Sequence, residues 1–213
     1  MKVFFTSLLF CAVFSCQGQT PEFVGKYDYP EVGVNLTIPS GAFGRLSSSV
    51  NQQAGMASNG FEVFVGYQIK FKKVPIGWYL SLSYAQMRNG RLDQPTGVTT
   101  KNGQYIFVNF LNGLTFQSNN GKFDLYARAL ISPAFIGSSK SITRMSNGRE
   151  VSKSVSPLVG LGRGGEMGFL VMNKIRLGVS WLTYGYVSAV GDVSARRPIS
   201  FWRVGLSYTW KKY

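Results

Sequence analysis

Residues 61–71, which read FEVFVGYQIKF, decide the fold class because two kinds of side chain alternate along them. The odd positions carry Phe, Val, Tyr and Ile, whereas the even positions carry Glu, Gly, Gln and Lys with a single Phe. Successive side chains of a β-strand point to opposite faces, so this alternation predicts a strand with one apolar and one mixed face. The pattern returns in residues 78–85, 175–181 and 203–210.

The chain divides into eight segments with this alternation. Asn-Gly dipeptides, which favour tight reversals, fall between several of them, for example at 59–60 and 120–121. Strands are predicted at residues 31–43, 61–71, 78–88, 104–117, 123–136, 156–171, 174–188 and 201–213.

The connections between these strands alternate between long and short. Transmembrane barrels have this asymmetry, with tight periplasmic turns and longer external loops, and strands of about 9–11 residues cross the bilayer at a tilt. The pattern predicts an all-β fold, an eight-stranded antiparallel up-and-down transmembrane β-barrel over residues 31–213. The long connections are 44–60, 89–103, 137–155 and 189–200, and the short ones are 72–77, 118–122 and 172–173.

A soluble eight-stranded barrel of the lipocalin type is the alternative architecture. Its apolar face would line a ligand cavity, and its polar face would meet water. In this sequence the apolar faces carry bulky residues with aromatics near the strand ends, as a lipid-facing band with girdles does. The other faces carry Gly, Ser, Thr and scattered charges, which favours the membrane barrel.

The N-terminus predicts export. Lys2, an apolar stretch over residues 3–16 and small residues before Gly18 form a secretory signal peptide over residues 1–18, with cleavage after Gly18. Lipidation at Cys16 is the alternative. Residues 19–30 are predicted to be a periplasmic N-terminal segment, so both termini of the mature protein would lie in the periplasm.

The absence of histidine narrows the possible chemistry. The 213 residues include 23 Lys and Arg, nine Asp and Glu and no His, for a net charge of +14. Most acid–base pairs and zinc sites use histidine, so no enzyme, cofactor or metal site is predicted. Asp93, Glu150 and Asp192 lie one in each of three long loops and would form a Ca²⁺ site only if those loops converged.

A glycine-rich motif at residues 160–165, GLGRGG, matches the dinucleotide fingerprint letter for letter. That fingerprint works at a strand-to-helix turn, where a helix N-terminus holds the pyrophosphate. Here it lies inside a predicted strand, so we interpret the match as accidental.

The inward faces of the predicted strands carry charges of both signs. Arg163 faces outward by strict alternation, but arginine facing lipid costs ~2–4 kcal/mol at the bilayer midplane. A one-residue bulge at Gly164 and Gly165 is therefore predicted to turn it inward beside Glu166. The predicted lumen ion-pair network is Glu31, Glu62, Lys70, Asp124, Arg128, Arg163, Glu166, Arg176 and Arg203.

Bulky aromatic residues are predicted on the same inward faces. An eight-stranded barrel is only just wide enough for its own side chains, and buried charges need partners. The sequence therefore predicts a plugged lumen with charges paired across strands. The inward aromatics are Tyr79, Tyr105, Phe107, Tyr126 and Tyr184.

The predicted external loops are strongly basic. Lipid phosphates of a Gram-negative outer leaflet, in lipopolysaccharide or lipooligosaccharide, would pair with them. Nucleic acid is not an expected partner, because these loops would face the cell exterior. The loop residues are Arg91, Lys101, Lys140, Arg144, Arg149, Lys153, Arg196 and Arg197.

The last strand resembles the assembly signal of bacterial outer-membrane proteins. Gly205, Tyr208 and Trp210 match its glycine and alternating aromatics, although three further residues follow Trp210. Over residues 31–213 the chain is similar to small eight-stranded barrels of the OmpA, OmpX and opacity-protein type. The stretches PSGAFG (39–44) and AGMASNGF (54–61) are similar to uncharacterised outer-membrane barrels of the Bacteroidota.

The resemblance implies a cellular location and partners, but it does not imply an activity. It implies insertion into the outer membrane by the barrel assembly machinery. The function expected is that of a non-enzymatic scaffold, an accessory subunit of a surface complex, or an adhesion or envelope-stability protein. A small pore for ions or small solutes is the alternative.

Overall fold

The structure is a computed structural model that describes ten ranges of the chain. They are residues 26–44, 57–71, 74–89, 99–101, 104–118, 122–138, 141–144, 147–153, 158–188 and 198–210. The predicted signal peptide, with Cys16, lies outside them, as do large parts of the long connections. Across the described ranges, no helix has the length and apolar character needed to span a membrane.

Eleven strands and one helical turn make up the described residues. In chain order they are β1 (Lys26–Ser40), α1 (Gly41–Gly44), β2 (Ala57–Phe71), β3 (Ile76–Asn89), β4 (Thr99–Lys101), β5 (Gln104–Gln117), β6 (Phe123–Ser138), β7 (Ser141–Arg144), β8 (Glu150–Lys153), β9 (Leu158–Val171), β10 (Ile175–Ser188) and β11 (Ile199–Thr209).

Eight of these strands close into one antiparallel barrel, and β11 pairs with β1 to complete it. Neighbours in the barrel follow chain order, so the predicted eight-stranded up-and-down barrel is confirmed. The short strands β4, β7 and β8 form a separate three-stranded sheet from two of the long connections. The pattern of the sequence does not predict this sheet.

The barrel is strongly sheared. Register partners followed once around it lead from Pro30 back to β1 at Ser40, ten residues further along the chain. A shift of this kind requires tilted strands, since untilted strands would return to the starting residue. The intermediate partners are Tyr67, Leu80, Asn112, Ile131, Arg163, Thr183 and Ser200.

The two ends of the barrel differ, and we name them the turn end and the loop end. The turn end carries the start of β1, the end of β11 and the three short connections. The tightest of these joins β9 to β10 through Met172 and Asn173, which both have positive φ (51° and 57°), as a type I′ hairpin turn requires. The loop end carries the four long connections.

The first strand begins earlier than predicted. Lys26 pairs with Phe71 and Pro30 with Tyr67, so the barrel begins at residue 26 and not at residue 31. That part of the predicted boundary is wrong, because Pro30 interrupts the sequence pattern without interrupting the pairing. β1 ends at Ser40, where Gly41 takes a positive φ of 59° and the chain enters α1.

Candidate functional site

The polarity of the barrel is inverted relative to that of a soluble protein. Large apolar residues cover its outer wall, as in β1, where Val32, Val34 and Leu36 are about half exposed. Charged residues such as Glu31, Arg128 and Arg176 are instead buried inside. A wall of this kind requires an apolar surrounding. The chain is a small transmembrane β-barrel.

Aromatic residues mark two levels of the wall. Trp78 and Tyr208 lie near the turn end, and Trp181 and Trp202 are register partners further along the wall toward the loop end. Aromatic girdles of transmembrane barrels lie at the two membrane–water interfaces. Exposed apolar residues continue beyond Trp181 toward the loop end, as Leu161 and Val159 do on β9, so the apolar band extends past this second level.

Comparison with known proteins adds no residue roles. No protein-family model and no curated protein matches the sequence. Solved structures that are similar include Ail of Yersinia pestis, with 14% identity, a TM-score of 0.41 and coverage of 87% of this chain and 99% of that one. OprG from Pseudomonas aeruginosa has 10% identity, a TM-score of 0.44 and coverage of 87% and 96%. Neisserial surface protein A has 12% identity, a TM-score of 0.40 and coverage of 87% and 97%.

Glu31 is the centre of the buried charges nearer the turn end. Its carboxylate accepts a hydrogen bond from Arg128 Nη2 at 2.8 Å and a second one from Arg176 Nη1. Ser207 Oγ donates to the other carboxylate oxygen at 2.5 Å. Gln68 Oε1 accepts from Arg128 at 3.2 Å and from Arg176 at 2.9 Å, so both guanidinium groups are held between Glu31 and Gln68.

Arg128 links this group to a second one. Its Nη1 donates to Glu166 Oε1 at 3.0 Å, and its guanidinium carbon lies 3.5 Å from the centroid of the Tyr79 ring. The second carboxylate oxygen of Glu166 lies 3.7 Å from Arg203 Nη2. Arg203 Nη1 donates to Glu62, at 3.2 Å from Oε1 and 3.3 Å from Oε2. Three carboxylates and three guanidiniums therefore form one continuous network.

Polar contacts continue from this network toward the turn end. Gln68 Nε2 donates to Gln117 Oε1 at 2.8 Å, and Gln117 Nε2 donates to Asp124 at 3.2 Å. Lys70 Nζ donates to the backbone carbonyl of Ser118 at 3.2 Å. All of the predicted lumen residues except Arg163 thus lie inside, and these eight are four acids and four bases. Their formal charges cancel.

The loop-end half of the lumen is filled by apolar and aromatic residues instead. Phe43 folds inward from α1, with its ring centroid 5.0 Å from that of Tyr105 and 6.0 Å from that of Phe107. Phe107 lies 5.4 Å from Phe201, which stacks on Tyr184 at 5.9 Å. The five aromatics predicted to point inward do so. Phe43 was missed, since nothing in residues 39–44 signals an inward turn except Gly41.

Arg163 is on the opposite side of the wall from its predicted position. Ile131 and Thr183 pair with Arg163 in the same register that continues through residues 162–167, so the predicted bulge is absent and that prediction is wrong. Gly164 serves a different purpose, because a side chain there would overlap the Trp181 carbonyl oxygen of the adjacent strand. Arg163 therefore faces outward among exposed apolar neighbours.

The remaining predicted residues are only partly described. Gly205, Tyr208 and Trp210 lie in or beside β11 at the turn end, where the last two rings stack with centroids 6.2 Å apart. Arg149 is exposed beside β8, and Lys101, Arg144 and Lys153 belong to the three-stranded sheet. Arg91, Lys140, Arg196 and Arg197 lie outside the described residues.

Tyr126→Phe tests the lumen network without removing a charge. Tyr126 Oη donates to Glu166 Oε1 at 2.8 Å, and Gly178 leaves room for that hydroxyl because a side chain there would overlap it. Loss of one hydrogen bond to this partly buried carboxylate is expected to lower the free energy of unfolding by about 1.5–3 kcal/mol. Urea unfolding in lipid vesicles measures this change. Tyr208→Phe on the outer wall is the matched control, with an expected change below ~0.5 kcal/mol, and equal effects of the two changes would contradict the assignment.

Proposed function

We propose that this chain is an exported outer-membrane protein with a plugged lumen that acts, without catalysis, through its outer wall and loops. It would serve as a scaffold, an accessory subunit of a surface complex, or an adhesion or envelope-stability protein. The observation that carries the proposal is the combination of a lipid-compatible outer wall with an interior occupied by its own side chains.

The packing of the interior supports a plug. Between Glu31, Glu166 and Arg176 the described residues enclose a cavity of only about 10 Å³, close to the space of a single water molecule. Toward the loop end the aromatic cluster around Phe107 follows directly. The charged part is neutral as a whole, whereas a lumen selecting ions would be expected to carry an excess of one sign.

The state of the buried carboxylates supports a non-catalytic role. Glu31 and Glu62 are 2% and 0% exposed, and arginines hold both. A general base needs access to the proton that it removes. These carboxylates are closed off from solvent and held by arginines, and the chain has no histidine to replace them.

The difference between the two ends supports an orientation. The short turns, the start of β1 and the end of β11 lie at one end of the barrel, as at the periplasmic side of outer-membrane barrels. The long connections, which carry the basic residues, lie at the other end. We therefore assign the turn end to the periplasm and the loop end to the exterior. On this assignment Gly205, Tyr208 and Trp210 would be read by the barrel assembly machinery, and loop residues such as Arg149 would meet lipopolysaccharide phosphates.

Fractionation of cells that express the full chain tests this proposal. We expect the protein in the outer-membrane fraction, with a gel mobility that changes on heating because a folded barrel resists detergent. A soluble periplasmic product would contradict it. Copurification from native membranes with mild detergent then distinguishes the roles, since an accessory subunit would bring a stoichiometric protein partner and an envelope-stability protein would not.

A further inference from the structure

Arg163 is a charged residue on an otherwise apolar wall. On the same face of β9 it lies between Leu161 and Met167, both of which are exposed. Within the described part of the chain its side chain makes no hydrogen bond or ion pair. A charge held against lipid without a partner is costly, and in membrane proteins such residues mark binding functions. Among the described residues nothing supplies that partner, and the membrane around the wall can supply one.

Two hydroxyls continue the row that begins with Arg163. Thr183 is its register partner on β10, and Ser200 is the partner of Thr183 on β11. Their Oγ atoms lie 2.8 Å apart. A guanidinium and two hydroxyls side by side form a set of donors suited to phosphate oxygens, which accept several hydrogen bonds at once.

This polar row lies in the loop-end half of the wall, and the exposed residue Leu161 continues the wall beyond it. Trp181 and Trp202 are two residues from Thr183 and Ser200 on the side of the turn end, and Trp181 is also the register partner of Gly165. An arginine in this half of the wall can extend its guanidinium toward the headgroups of the loop-end leaflet while its stem remains in the apolar layer.

Small residues lie beside Arg163 on the outer wall. Gly165 and Ala129 are exposed register partners on the turn-end side, and Gly185 is exposed on the loop-end side. A side chain added at Gly185 would meet nothing within 4 Å, and one at Gly165 would meet only the Arg128 carbonyl oxygen at 3.5 Å. Neither glycine is therefore required by packing in the described structure. The adjacent small residues Gly165 and Ala129 leave a shallow depression on the turn-end side of Arg163, which an acyl chain would fill.

We infer that Arg163, Thr183 and Ser200 bind the phosphate of an outer-leaflet glycolipid, whose acyl chains lie over Gly165 and Ala129. The inference rests on the proposed outer-membrane location, because that location places this end of the wall in the glycolipid leaflet. A second copy of the chain is a poorer occupant. Of the acids in the described barrel strands, only Asp28 shares the outward face, and it lies near the turn end.

Lipid retention by the full barrel tests the site. The mature protein is inserted into phosphatidylcholine nanodiscs that contain a minor fraction of lipid A, dephosphorylated lipid A or phosphatidylglycerol. Native mass spectrometry after mild extraction then counts the lipids that remain bound. We expect the wild type to retain lipid A about tenfold better than its dephosphorylated form, and Arg163→Gln to lose that preference.

Matched variants separate this site from general attraction. Arg88 is another exposed arginine at the loop end of the wall, so Arg88→Gln is expected to retain lipid A like the wild type. Gly165→Leu fills the depression, and its Cβ would be in ordinary van der Waals contact with the Arg128 carbonyl oxygen. This variant is expected to weaken retention severalfold while Arg163 remains.

Three outcomes would overturn the inference. The first is equal retention of lipid A by the wild type and by Arg163→Gln, and the second is retention of phosphatidylglycerol by the wild type as strong as that of lipid A. The third is a protein partner from native membranes that Arg163→Gln loses while its retention of lipid is unchanged. Heat-modifiable mobility is recorded for each sample. If the wild type itself does not insert, the proposed outer-membrane location fails, which is distinguishable from an inserted barrel that ignores lipid A.

Discussion

Arg128→Met is expected to lower the free energy of unfolding by about 3–5 kcal/mol, because it removes one partner from a buried ion network. Arg128 contacts Glu31 at 2.8 Å and Glu166 at 3.0 Å, and its side chain is fully buried. Methionine fills a similar volume but leaves both carboxylates with one cation fewer. The lumen then holds four acids and three bases, so a net charge remains away from water.

Urea titration of the barrel in lipid vesicles measures this loss. Arg88→Met is the control, since Arg88 is exposed on the outer wall and its replacement is expected to change stability by less than ~0.5 kcal/mol. A loss below about 1 kcal/mol for Arg128→Met would show that solvent or the remaining arginines compensate, and the network would not be the element that fixes the interior.

A charge-balanced double variant, measured in the same experiment, tests whether the unpaired charge causes the loss of stability. Arg128→Met combined with Glu166→Gln leaves three acids and three bases among the lumen residues. Glu31 then keeps Arg176, and Glu62 keeps Arg203. The double variant is therefore expected to be more stable than Arg128→Met alone. Glu166→Gln alone completes the comparison. If the double variant lost as much stability as Arg128→Met and Glu166→Gln lose together, the two residues would act independently.

The inward and outward faces of the barrel could be predicted from the sequence because alternation is local. Glu62 and Lys70 lie inside on β2 for the same reason that Val63 and Val65 lie outside. Register could not be predicted, since it depends on pairing between segments far apart in the chain. The bond from Arg203 to Glu62 joins residues 141 positions apart.

The errors arose where a local rule competed with strand packing. Alternation alone placed Arg163 outward correctly, and the cost of a charge facing lipid wrongly argued for a bulge. In the structure Gly164 keeps the ladder regular, because β10 approaches too closely for a side chain there. Similarly, the pairing of β4 with β7 connects two separate loops, and three or four residues are too few to show a period.

Wild-type protein in a planar bilayer is expected to show no steady unitary conductance, because two different layers would close the lumen. The aromatic layer at the loop end packs Phe107 against Phe201 with ring centroids 5.4 Å apart. The second layer is the network around Glu31 and Arg128, where the side chains are joined across the barrel. Ions would have to displace both layers, and breaking buried ion pairs is costly.

Variants that remove one layer at a time make this expectation sharper. Phe107→Ala/Phe201→Ala opens the aromatic layer but leaves the ion pairs, so it is expected to remain silent. Adding Glu31→Ala/Arg128→Ala removes one acid and one base together and opens the second layer, so discrete conductance steps are expected to appear. Heat-modifiable mobility of each variant shows that the barrel is folded. Steady unitary conductance from the wild type would overturn the proposal of a plugged lumen and favour the small pore. The polar side chains of the lumen, from the level of Glu62 to that of Lys70, would then line a water path.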